Sequence, residues 1–332
     1  MNILKPGLST SIQDIGRFGF QKYGIITSGA MDQLAHRVAN ILIGNNENEP
    51  TLEITLLGPT IEFLQDSLIS ICGGDLSPEI GGEQLQCWRP IFVRKGSILK
   101  FGSYRHGCRA YLAVAGGLDV PIVMKSKSTY FRAKIGGLYG RALKKGDRLS
   151  FCSLSDQSTK IMAFFQQKNS TRQYIEGNWS ISKRIIPKYS ENPTVRVMKG
   201  RQYHLFNQQS QVSLFSKPFV ITPQSDRMGY RLKGPCLALA QPIELISEAV
   251  CFGTIQVPAD GNPIVLLADR QTIGGYPKIA QIASIDLPLL AQAKPGDTLQ
   301  FSEITHSDAQ RLFIQRERQI QQLKLGIKLK YR

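Results

Sequence analysis

Several familiar patterns are missing from this sequence of 332 residues, and each absence excludes a class of protein. No run of eighteen or more apolar residues occurs, so we expect no membrane-spanning helix. The first residues, MNILKPGLSTS, contain one lysine and no apolar core, unlike a secretory signal peptide. The sequence also lacks the G-x-S-x-G nucleophile elbow and the Walker A order of glycines and lysine, so no P-loop is predicted.

Cysteine and histidine are few and widely spaced. The six cysteines form no C-x-x-C pair, and the four histidines lie at positions 36, 106, 204 and 306. Such spacing predicts neither a zinc site nor a disulfide framework, so we expect free thiols in a reducing compartment and no metal bound by this chain. Without a signal peptide, the sequence predicts a cytoplasmic protein.

Positive charge is in excess, with a formal net charge of +16. Basic residues are densest in the tail at 311–332, where Phe313, Ile320 and Ile327 recur every seven positions. This spacing predicts a terminal helix that docks through one apolar stripe. The basic residues are not interleaved with aromatics and form no known module, so we expect no nucleic-acid partner. Anionic substrates or an acidic partner protein are compatible with the charge.

Strand signals dominate the rest of the chain. Short apolar runs are separated by glycine and proline turns, and 42% hydrophobic residues allow more than one buried core. A turn followed by a strand recurs at 95–101, 145–151 and 294–301, which indicates β-barrel-like modules. The predicted fold class is therefore mainly β with a few helices.

Three helices are predicted, of which the clearest covers 31–45 and the others cover 278–293 and the tail. The candidate caps of the first are Ser28 or Asp32 at its start and Gly44 or Asn45 at its end.

A polar and basic stretch from about 155 to 195 separates two β-rich regions and indicates a connection with a domain boundary inside it. The predicted domains are an N-terminal β-barrel domain at 1–155, a connection at 156–194, a C-terminal β-barrel domain at 195–305, and a basic helix or tail at 306–332.

Polar residues precede the first helix. Gln13, Asp14 and Arg17 lie beside glycines, and Ser28 and Asp32 stand just before the helix. Free backbone N–H groups at a helix start attract anions, so these five residues are candidates for binding a ligand. The alternative is that Ser28 and Asp32 only cap the helix.

Glu53 interrupts the apolar strand TLEITLLGP. A carboxylate in such a place needs a partner or a function, unless the strand turns it outward to solvent. Both interpretations are open for Glu53.

Arg227, Tyr230 and Arg231 cluster in the segment SDRMGYRLKGP. Two guanidinium groups near a phenol suit a carboxylate or phosphate ligand. A structural ion pair with Asp226 or Glu248 is the competing explanation.

The segment ADRQTIGGYPKIAQ, at 268–281, combines charged and polar side chains with two adjacent glycines. The glycines indicate either a close approach of the backbone or angles that a side chain forbids. A lysine beside such a turn suits a phosphate or carboxylate. The candidate site residues here are Asp269, Gln271, Thr272, Gly274, Gly275, Tyr276, Lys278 and Gln281.

Together, and in this order, these four segments resemble the biotin-dependent carboxyltransferase family, which includes allophanate hydrolase subunit 2, KipA and the C subunit of bacterial ATP-dependent 5-oxoprolinase. The resemblance runs from about residue 3 to 305. It departs mainly at 123–137, where Lys125 and Tyr130 stand in place of a glycine and an acid that relatives usually carry. It implies two cyclophilin-like β-barrel domains and two partners, a KipI-like B subunit and a LamB/YcsF-type A subunit.

The resemblance also implies an activity. The chain would be one subunit of a complex that opens 5-oxo-L-proline to L-glutamate with ATP hydrolysis. ATP with Mg would be shared across the complex, and the chain would not be active alone. Asp32, Glu53, Asp269 and Lys278 would be catalytic, and the other candidates would bind substrate.

Two alternatives stay open. One is a biotin-dependent carboxyltransferase of the urea or allophanate type. The other is a non-catalytic antagonist of a KipI-like inhibitor that regulates a histidine kinase. A homo-oligomer is compatible with each interpretation.

Overall fold

The computed structural model describes residues 1–168 and 170–332, which divide into two units. The first unit comprises Met1–Arg17, Asp32–Pro187 and Glu317–Arg332, and the second comprises Phe18–Met31 and Lys188–Arg316. This division differs from the sequence-predicted ranges. The predicted connection at 156–194 is not separate, because its residues up to Pro187 group with the first unit and those from Lys188 group with the second. The segment Phe18–Met31 groups with the second unit, and Glu317–Arg332 groups with the first.

The first unit contains two β-sheets that share one apolar core. One sheet has the strand order β1-β4-β9-β6-β7, and the other has the order β11-β8-β5-β10-β3-β2. Its strands are β1 Asn2–Lys5, β2 Ser9–Gln13, β3 Thr51–Thr55, β4 Thr60–Glu62, β5 Ser67–Asp75, β6 Glu79–Ile80, β7 Glu83–Gln84, β8 Pro90–Val93, β9 Ile98–Lys100, β10 His106–Val114 and β11 Tyr174–Glu176. Its helices are α1 Gln33–Leu42 and α2 Asp156–Gln166.

The second unit is built on a closed barrel with the strand order β12-β19-β16-β17-β14-β13-β20. Its strands are β12 Thr194–Lys199, β13 Phe219–Ile221, β14 Gly229–Lys233, β15 Glu248–Ala249, β16 Thr254–Gln256, β17 Ile264–Leu266, β18 Ile273–Gly274, β19 Lys278–Ile282 and β20 Thr298–Glu303. The helices here are α3 Gln208–Ser216 and α4 Leu287–Ala291, and 3-10 turns cover Gln21–Tyr23, Tyr203–Leu205 and Ser284–Asp286. Strands β15 and β18 form a separate two-stranded sheet.

The predicted fold class, mainly β with a few helices, is confirmed, and the second unit has the predicted barrel. The long strands β5 and β10 are buried along most of their length because they lie in the middle of their sheet, between β8 and β3. Strands covered on both faces read as continuous apolar runs, such as SLISIC and RAYLAVAGG.

Helix α1 confirms the clearest helix prediction. Asp32 is its N-cap, and the Asp32 carboxylate accepts a hydrogen bond from the Ala35 backbone N–H at 3.0 Å. Gly44, just beyond its end, has the left-handed φ of 77° that glycine adopts without strain. The short helix is stabilised by packing, since eight of its residues are buried.

Two predicted elements are wrong. The segment at 278–293 is predicted to be one helix, but it starts as strand β19 and contains only the short helix α4 at Leu287–Ala291. The reason is tertiary: β19 fills the gap between β12 and β16, and barrel closure outweighs helical propensity. The strand predicted within 145–151 pairs instead through single bridges, Arg148 with Asn2 and Phe151 with Leu118. The two bridges join this segment to different parts of the chain, so it forms no continuous β-ladder with either.

The tail forms helix α5, His306–Lys330. Ile320 and Ile327 are buried as predicted, but Phe313 is 45% exposed, so the predicted stripe is wrong at its first position. Phe313 belongs to the portion of α5 that groups with the second unit, whereas both isoleucines group with the first. A single periodic stripe therefore does not describe the whole helix.

Ion pairs connect the C-terminal part of α5 to α1 and to Glu47, which follows α1 in the chain. Arg37 donates to both Glu317 oxygens at 2.7 Å and to Glu47 at 2.8 Å, and Lys324 pairs with Glu47. The hydrogen bond to Glu317 is the main cause of a raised pKa of Arg37. A guanidinium that bridges two carboxylates in this way gains geometric specificity as well as energy.

Replacing Ile320 by alanine tests the docking of α5. We expect Ile320→Ala to lower the free energy of unfolding by about 2–5 kcal/mol, the usual loss for a fully buried isoleucine. Phe313→Ala removes a half-exposed ring and should change it by less than about 0.5 kcal/mol. Urea denaturation followed by circular dichroism gives both values. Equal losses from the two substitutions would contradict this assignment of the buried face.

Candidate functional site

The predicted site residues divide between the two units. Those of the first unit are Gln13, Asp14, Arg17, Asp32 and Glu53. Those of the second unit are Ser28, Arg227, Tyr230, Arg231, Asp269, Gln271, Thr272, Gly274, Gly275, Tyr276, Lys278 and Gln281.

In the first unit, the hydroxyl of Tyr111 joins Asp32 to Glu53. It accepts a hydrogen bond from the Asp32 backbone N–H at 2.7 Å and donates one to Glu53 Oε2 at 2.8 Å. Glu53 is buried, so the alternative of a solvated strand face is wrong. Tyr111 lies directly opposite Glu53 in the pairing of β10 with β3. Burial, followed by the charge of Glu53, raises the pKa of Tyr111 well above its ordinary value, which keeps the phenol a donor.

His36 is a fully buried neighbour of this group. Its Nδ1 lies 2.9 Å from Thr51 Oγ1, and its Nε2 has no hydrogen-bond partner within residues 1–168 and 170–332. Burial lowers the pKa of His36 from 6.5 to about 4, because the charged ring would lose its hydration. The imidazole is therefore neutral at pH 7.

Asp14 binds its own chain. The Asp14 carboxylate accepts hydrogen bonds from the backbone N–H groups of Gly16 and Lys127 and from the hydroxyls of Ser126 and Ser128. Three of these donors reach Oδ1 and one reaches Oδ2. The segment that Asp14 holds lies within 123–137, where the sequence departs from the pattern it resembles.

The guanidinium of Arg17 is buried and holds the same loop. It donates to the carbonyl oxygens of Val123 at 3.0 Å and Ser128 at 2.8 Å. Gln13 is also buried and donates to the Thr129 carbonyl at 3.2 Å, while its Oε1 lacks a partner in the described part of the chain. Roles for these residues in ligand binding stay predictions.

In the second unit, Asp269 is the centre of a buried cluster. It accepts from Arg227 Nε at 3.0 Å, from Arg227 Nη2 at 3.1 Å and from Ser28 Oγ at 2.7 Å. Arg227 also donates to the Gly29 carbonyl at 2.6 Å. A structural ion pair of Arg227, the competing explanation from sequence, therefore forms, and Asp269 is a partner in it.

Tyr230 and Arg231 have different environments. Successive residues of a strand face opposite sides, so within β14 Tyr230 points into the barrel and Arg231 out of it. Tyr230 donates to the Ala293 carbonyl at 2.7 Å, and Arg231 is exposed. Strand alternation therefore separates Arg231 from the phenol beside which it is predicted to lie.

The two glycines of the 268–281 segment permit a close approach. Neither has a positive φ, and a Cβ on Gly274 would lie 2.3 Å from Gln256 Nε2. Lys278 is buried, and its ammonium donates to the Gly274 carbonyl at 3.2 Å and pairs with Glu248 at 3.5 Å. Of the two explanations for the glycines, the close approach is the one observed.

The remaining candidates of this segment have mixed environments. Gln281 has a structural role, since it accepts from Thr254 at 2.7 Å and donates to the Phe252 carbonyl at 2.8 Å. Tyr276 and Gln271 are exposed, and Thr272 accepts from the Val250 backbone.

Three residues that contact the predicted site residues or their partners are not predicted from the sequence. They are Tyr111, which binds Glu53, Gln202, which donates to Glu248, and Gln256, which lies against Gly274. Cross-strand pairing is the signal that identifies Tyr111, and it needs the sheet register.

Two negative findings apply to residues 1–168 and 170–332. No group of three histidine, cysteine, aspartate or glutamate side chains could hold a metal ion. No helix in the same residues is long and apolar enough to cross a membrane.

The Asp269 cluster can be tested by one isosteric substitution. Asp269→Asn removes the charge of a buried carboxylate that accepts hydrogen bonds from Arg227 and Ser28, so we expect a loss of about 1.5–3 kcal/mol in the free energy of unfolding. Glu303→Gln is the control, because the pair of Glu303 with Lys199 is about half exposed and solvent screens such pairs, so this substitution should leave the stability nearly unchanged. Urea denaturation at pH 7 measures both. A loss for Asp269→Asn as small as the control would refute the structural importance of this pair.

The lowered pKa of His36 leads us to predict that stability falls as the pH decreases. The unfolded chain binds a proton to this ring near pH 6.5, whereas the folded chain does so only near pH 4. Stability contributed by neutral His36 is therefore full above pH 6.5 and is lost as the pH falls towards 4, by about 3 kcal/mol. In denaturation series from pH 7 to pH 4, His36→Gln should flatten this fall, and His204→Gln, at an exposed position, should not. Identical slopes in all three proteins would count against it.

Known proteins resemble this chain along most of its length. The family described as "Carboxyltransferase domain, subdomain A and B" matches residues 23–303. A protein of Haemophilus influenzae, named as the C subunit of 5-oxoprolinase, is 37% identical over 94% of this chain and 94% of its own length. Its Escherichia coli namesake is 37% identical over 97% of each chain.

A solved structure extends the comparison to larger enzymes. The crystal structure of the Kluyveromyces lactis urea carboxylase superimposes with a TM-score of 0.86 at 31% identity, covering 98% of this chain. The chain spans 29% of that larger protein. A family match over most of the sequence and relatives above 30% identity along nearly their whole length agree, and the chain therefore belongs to the carboxyltransferase-domain family.

Proposed function

We propose that this chain is a subunit of an ATP-dependent 5-oxoprolinase, which opens 5-oxo-L-proline to L-glutamate. One observation carries the proposal: two relatives named as the C subunit of 5-oxoprolinase align with it at 37% identity over 94% and 97% of their own lengths. The urea carboxylase is less similar, at 31%, and this chain corresponds to only 29% of it.

The chemistry explains why buried cations and donors are useful here. A lactam carbonyl is a poor electrophile, and phosphorylation of its amide oxygen by ATP creates a leaving group. Water then adds to the carbon, the ring C–N bond breaks, and glutamate, ADP and phosphate are released. Negative charge that develops on oxygen is stabilised by fixed donors and cations in a site of low dielectric.

Lys278 is the residue that we assign to this electrostatic role. Its side chain is 9% exposed, and its ion pair with Glu248 is long at 3.5 Å. Arg17 and Arg227 are engaged by short hydrogen bonds within their own units, which fits structural roles better. Arg231 is exposed and suits a contact at the rim of a site or with a partner.

Three carboxylates remain candidates for taking a proton. Asp32 caps α1, Glu53 accepts from Tyr111, and Asp269 neutralises Arg227. Glu53 has the strongest case for a chemical role, because it is a buried acid that is linked to a phenol with a raised pKa.

Partners and nucleotide are part of the proposal. A KipI-like B subunit and a LamB/YcsF-type A subunit would complete the enzyme, and ATP with Mg would bind in the assembled complex. A need for partners agrees with the naming of the two relatives as subunits.

Carboxyl transfer is the second candidate, and the similarity to urea carboxylase favours it. In that reaction carboxybiotin would deliver its carboxyl group to a urea-like acceptor. The acceptor, like the lactam, is a planar N–C=O group, so one constellation of donors could serve either chemistry. Biotin belongs to this alternative alone.

The first experiment measures ADP and glutamate release by the purified chain, alone and mixed with candidate B and A subunits, with and without 5-oxoproline. We expect both products only in the complete mixture. Lys278→Met should lower the rate at least about 100-fold, since removal of one preorganised donor to an oxyanion typically costs that much. The control Lys199→Met removes an exposed ammonium and should leave the rate unchanged.

Absence of 5-oxoproline-dependent turnover in every mixture would refute the proposal. Transfer of label from carboxybiotin to urea under the same conditions would then establish the second candidate.

A further inference from the structure

Glu248 occupies a position that resembles a bound carboxylate. Three donors from two directions converge on its oxygens: Lys278 Nζ at 3.5 Å, Gln202 Nε2 at 3.5 Å and Arg201 Nη1 at 3.3 Å. All three distances are at the long end of the hydrogen-bond range, where interactions are weak. Glu248 is therefore held in place by charge more than by tight hydrogen bonding.

The strand that carries Glu248 is short and is held mainly at its far end, where buried Val250 donates to the Thr272 carbonyl at 3.1 Å. Strand β15 has two residues and pairs with β18, Glu248 opposite Gly274 and Ala249 opposite Ile273. Ile246, two residues before Glu248, is 89% exposed, so this stretch is not anchored there by an apolar core. A two-residue ladder outside the barrel can separate at a small cost in free energy.

A buried donor without an acceptor lies beside Gly274, the residue that pairs with Glu248 in the ladder of β15 and β18. Gln256 is 1% exposed, and its Nε2 has no hydrogen-bond partner among the residues that the structure describes. It approaches Gly274 so closely that a Cβ there would lie 2.3 Å from it. A buried N–H that lacks an acceptor is destabilising, and an oxygen-bearing ligand can relieve that penalty.

We infer that Lys278, Gln202, Arg201 and Gln256 form a binding cradle for the oxyanion group of a small molecule, and that Glu248 occupies this cradle when no ligand is bound. The donors outnumber the acceptors, which is the composition that a carboxylate or phosphate requires. Displacement of Glu248 with β15 exposes Lys278 to the ligand. The inference rests on the proposed function only for the ligand's identity, the carboxylate of 5-oxoproline or a phosphate group.

Competition between Glu248 and the ligand has a measurable consequence. The apparent Kd of a ligand rises as the fraction of molecules with an open cradle falls. Removal of the internal carboxylate should therefore tighten binding, whereas loss of a ligand contact would weaken it. The sign of the effect separates these two roles of Glu248.

The test measures binding to the purified full chain by isothermal titration calorimetry. The probes are 5-oxo-L-proline, inorganic phosphate and 2-pyrrolidinone, which has the lactam ring without the carboxylate. For Glu248→Ala we expect the Kd of the oxyanion probe to fall about 3- to 10-fold. Glu303→Ala is the matched control, because it removes a half-exposed glutamate that pairs with Lys199 in the same unit, and its Kd should equal that of the unmodified chain.

Two substitutions remove donors of the cradle. Lys278→Met and Gln256→Leu keep similar side-chain volumes, and each should raise the Kd at least about 10-fold, as expected for charged or buried donors. Two variants are used so that a folding defect in one, detected by circular dichroism, leaves the other to decide. Tight binding of 5-oxoproline or of phosphate identifies the source of the oxyanion, and 2-pyrrolidinone should not bind.

Weaker binding by Glu248→Ala, equal binding of 2-pyrrolidinone, or no oxyanion binding to any variant would overturn the inference. Its failure is distinct from that of the proposed function. Products formed by the complete enzyme without oxyanion binding at this cradle refute only the inference. Oxyanion binding without 5-oxoproline turnover refutes only the function.

Discussion

The ion pair between the partly buried Arg227 and the buried Asp269 is the interaction on which two loops of the barrel and the segment Phe18–Met31 depend. It joins two loops of the barrel through side chains and also through the backbone, since the Asp269 N–H donates to the Arg227 carbonyl at 2.9 Å. The same two residues bind Ser28 and Gly29, so the segment Phe18–Met31 is held to a barrel whose strands begin at Thr194. Met31 adds an apolar anchor in the barrel core. One pair of charges thus connects parts of the chain that are far apart in sequence.

In the first unit, hydrogen bonds in place of ion pairs connect separate segments of the chain. Tyr111 links a helix start to a strand, and Asp14 gathers four donors of nearby loops. Both groups satisfy buried polar atoms that would otherwise destabilise the fold. Residues that sequence reasoning selects as ligand-binding are in several cases the ones that hold loops. Buried polar residues near glycines have the same appearance in sequence whether their partner is a ligand or the chain itself.

The sequence predicts those elements whose structure is determined by residues close to one another in the chain. The helix at 31–45 can be found because an N-cap, an apolar face and a terminal glycine act within a few residues of one another. The segment at 278–293 is misassigned because its place between β12 and β16 is set by barrel closure. The separation of Tyr230 from Arg231 follows from strand alternation once β14 is known. Glu53 can be selected from the sequence because it is a carboxylate within an apolar strand. Its partner, Tyr111, can be identified only when the register of β10 against β3 is known.

Gly24 and Gly274 in the second unit differ in which substitutions they tolerate. Gly24 ends a 3-10 turn with a left-handed φ of 77° and open space around it, so asparagine, which tolerates that angle, fits there. Gly274 has an ordinary backbone, and what excludes a side chain is the amide of Gln256. A methyl group at Gly274 would have to displace that amide before any ligand arrived. The missing side chain at Gly274 therefore determines how closely a ligand atom can approach the buried Nε2 of Gln256.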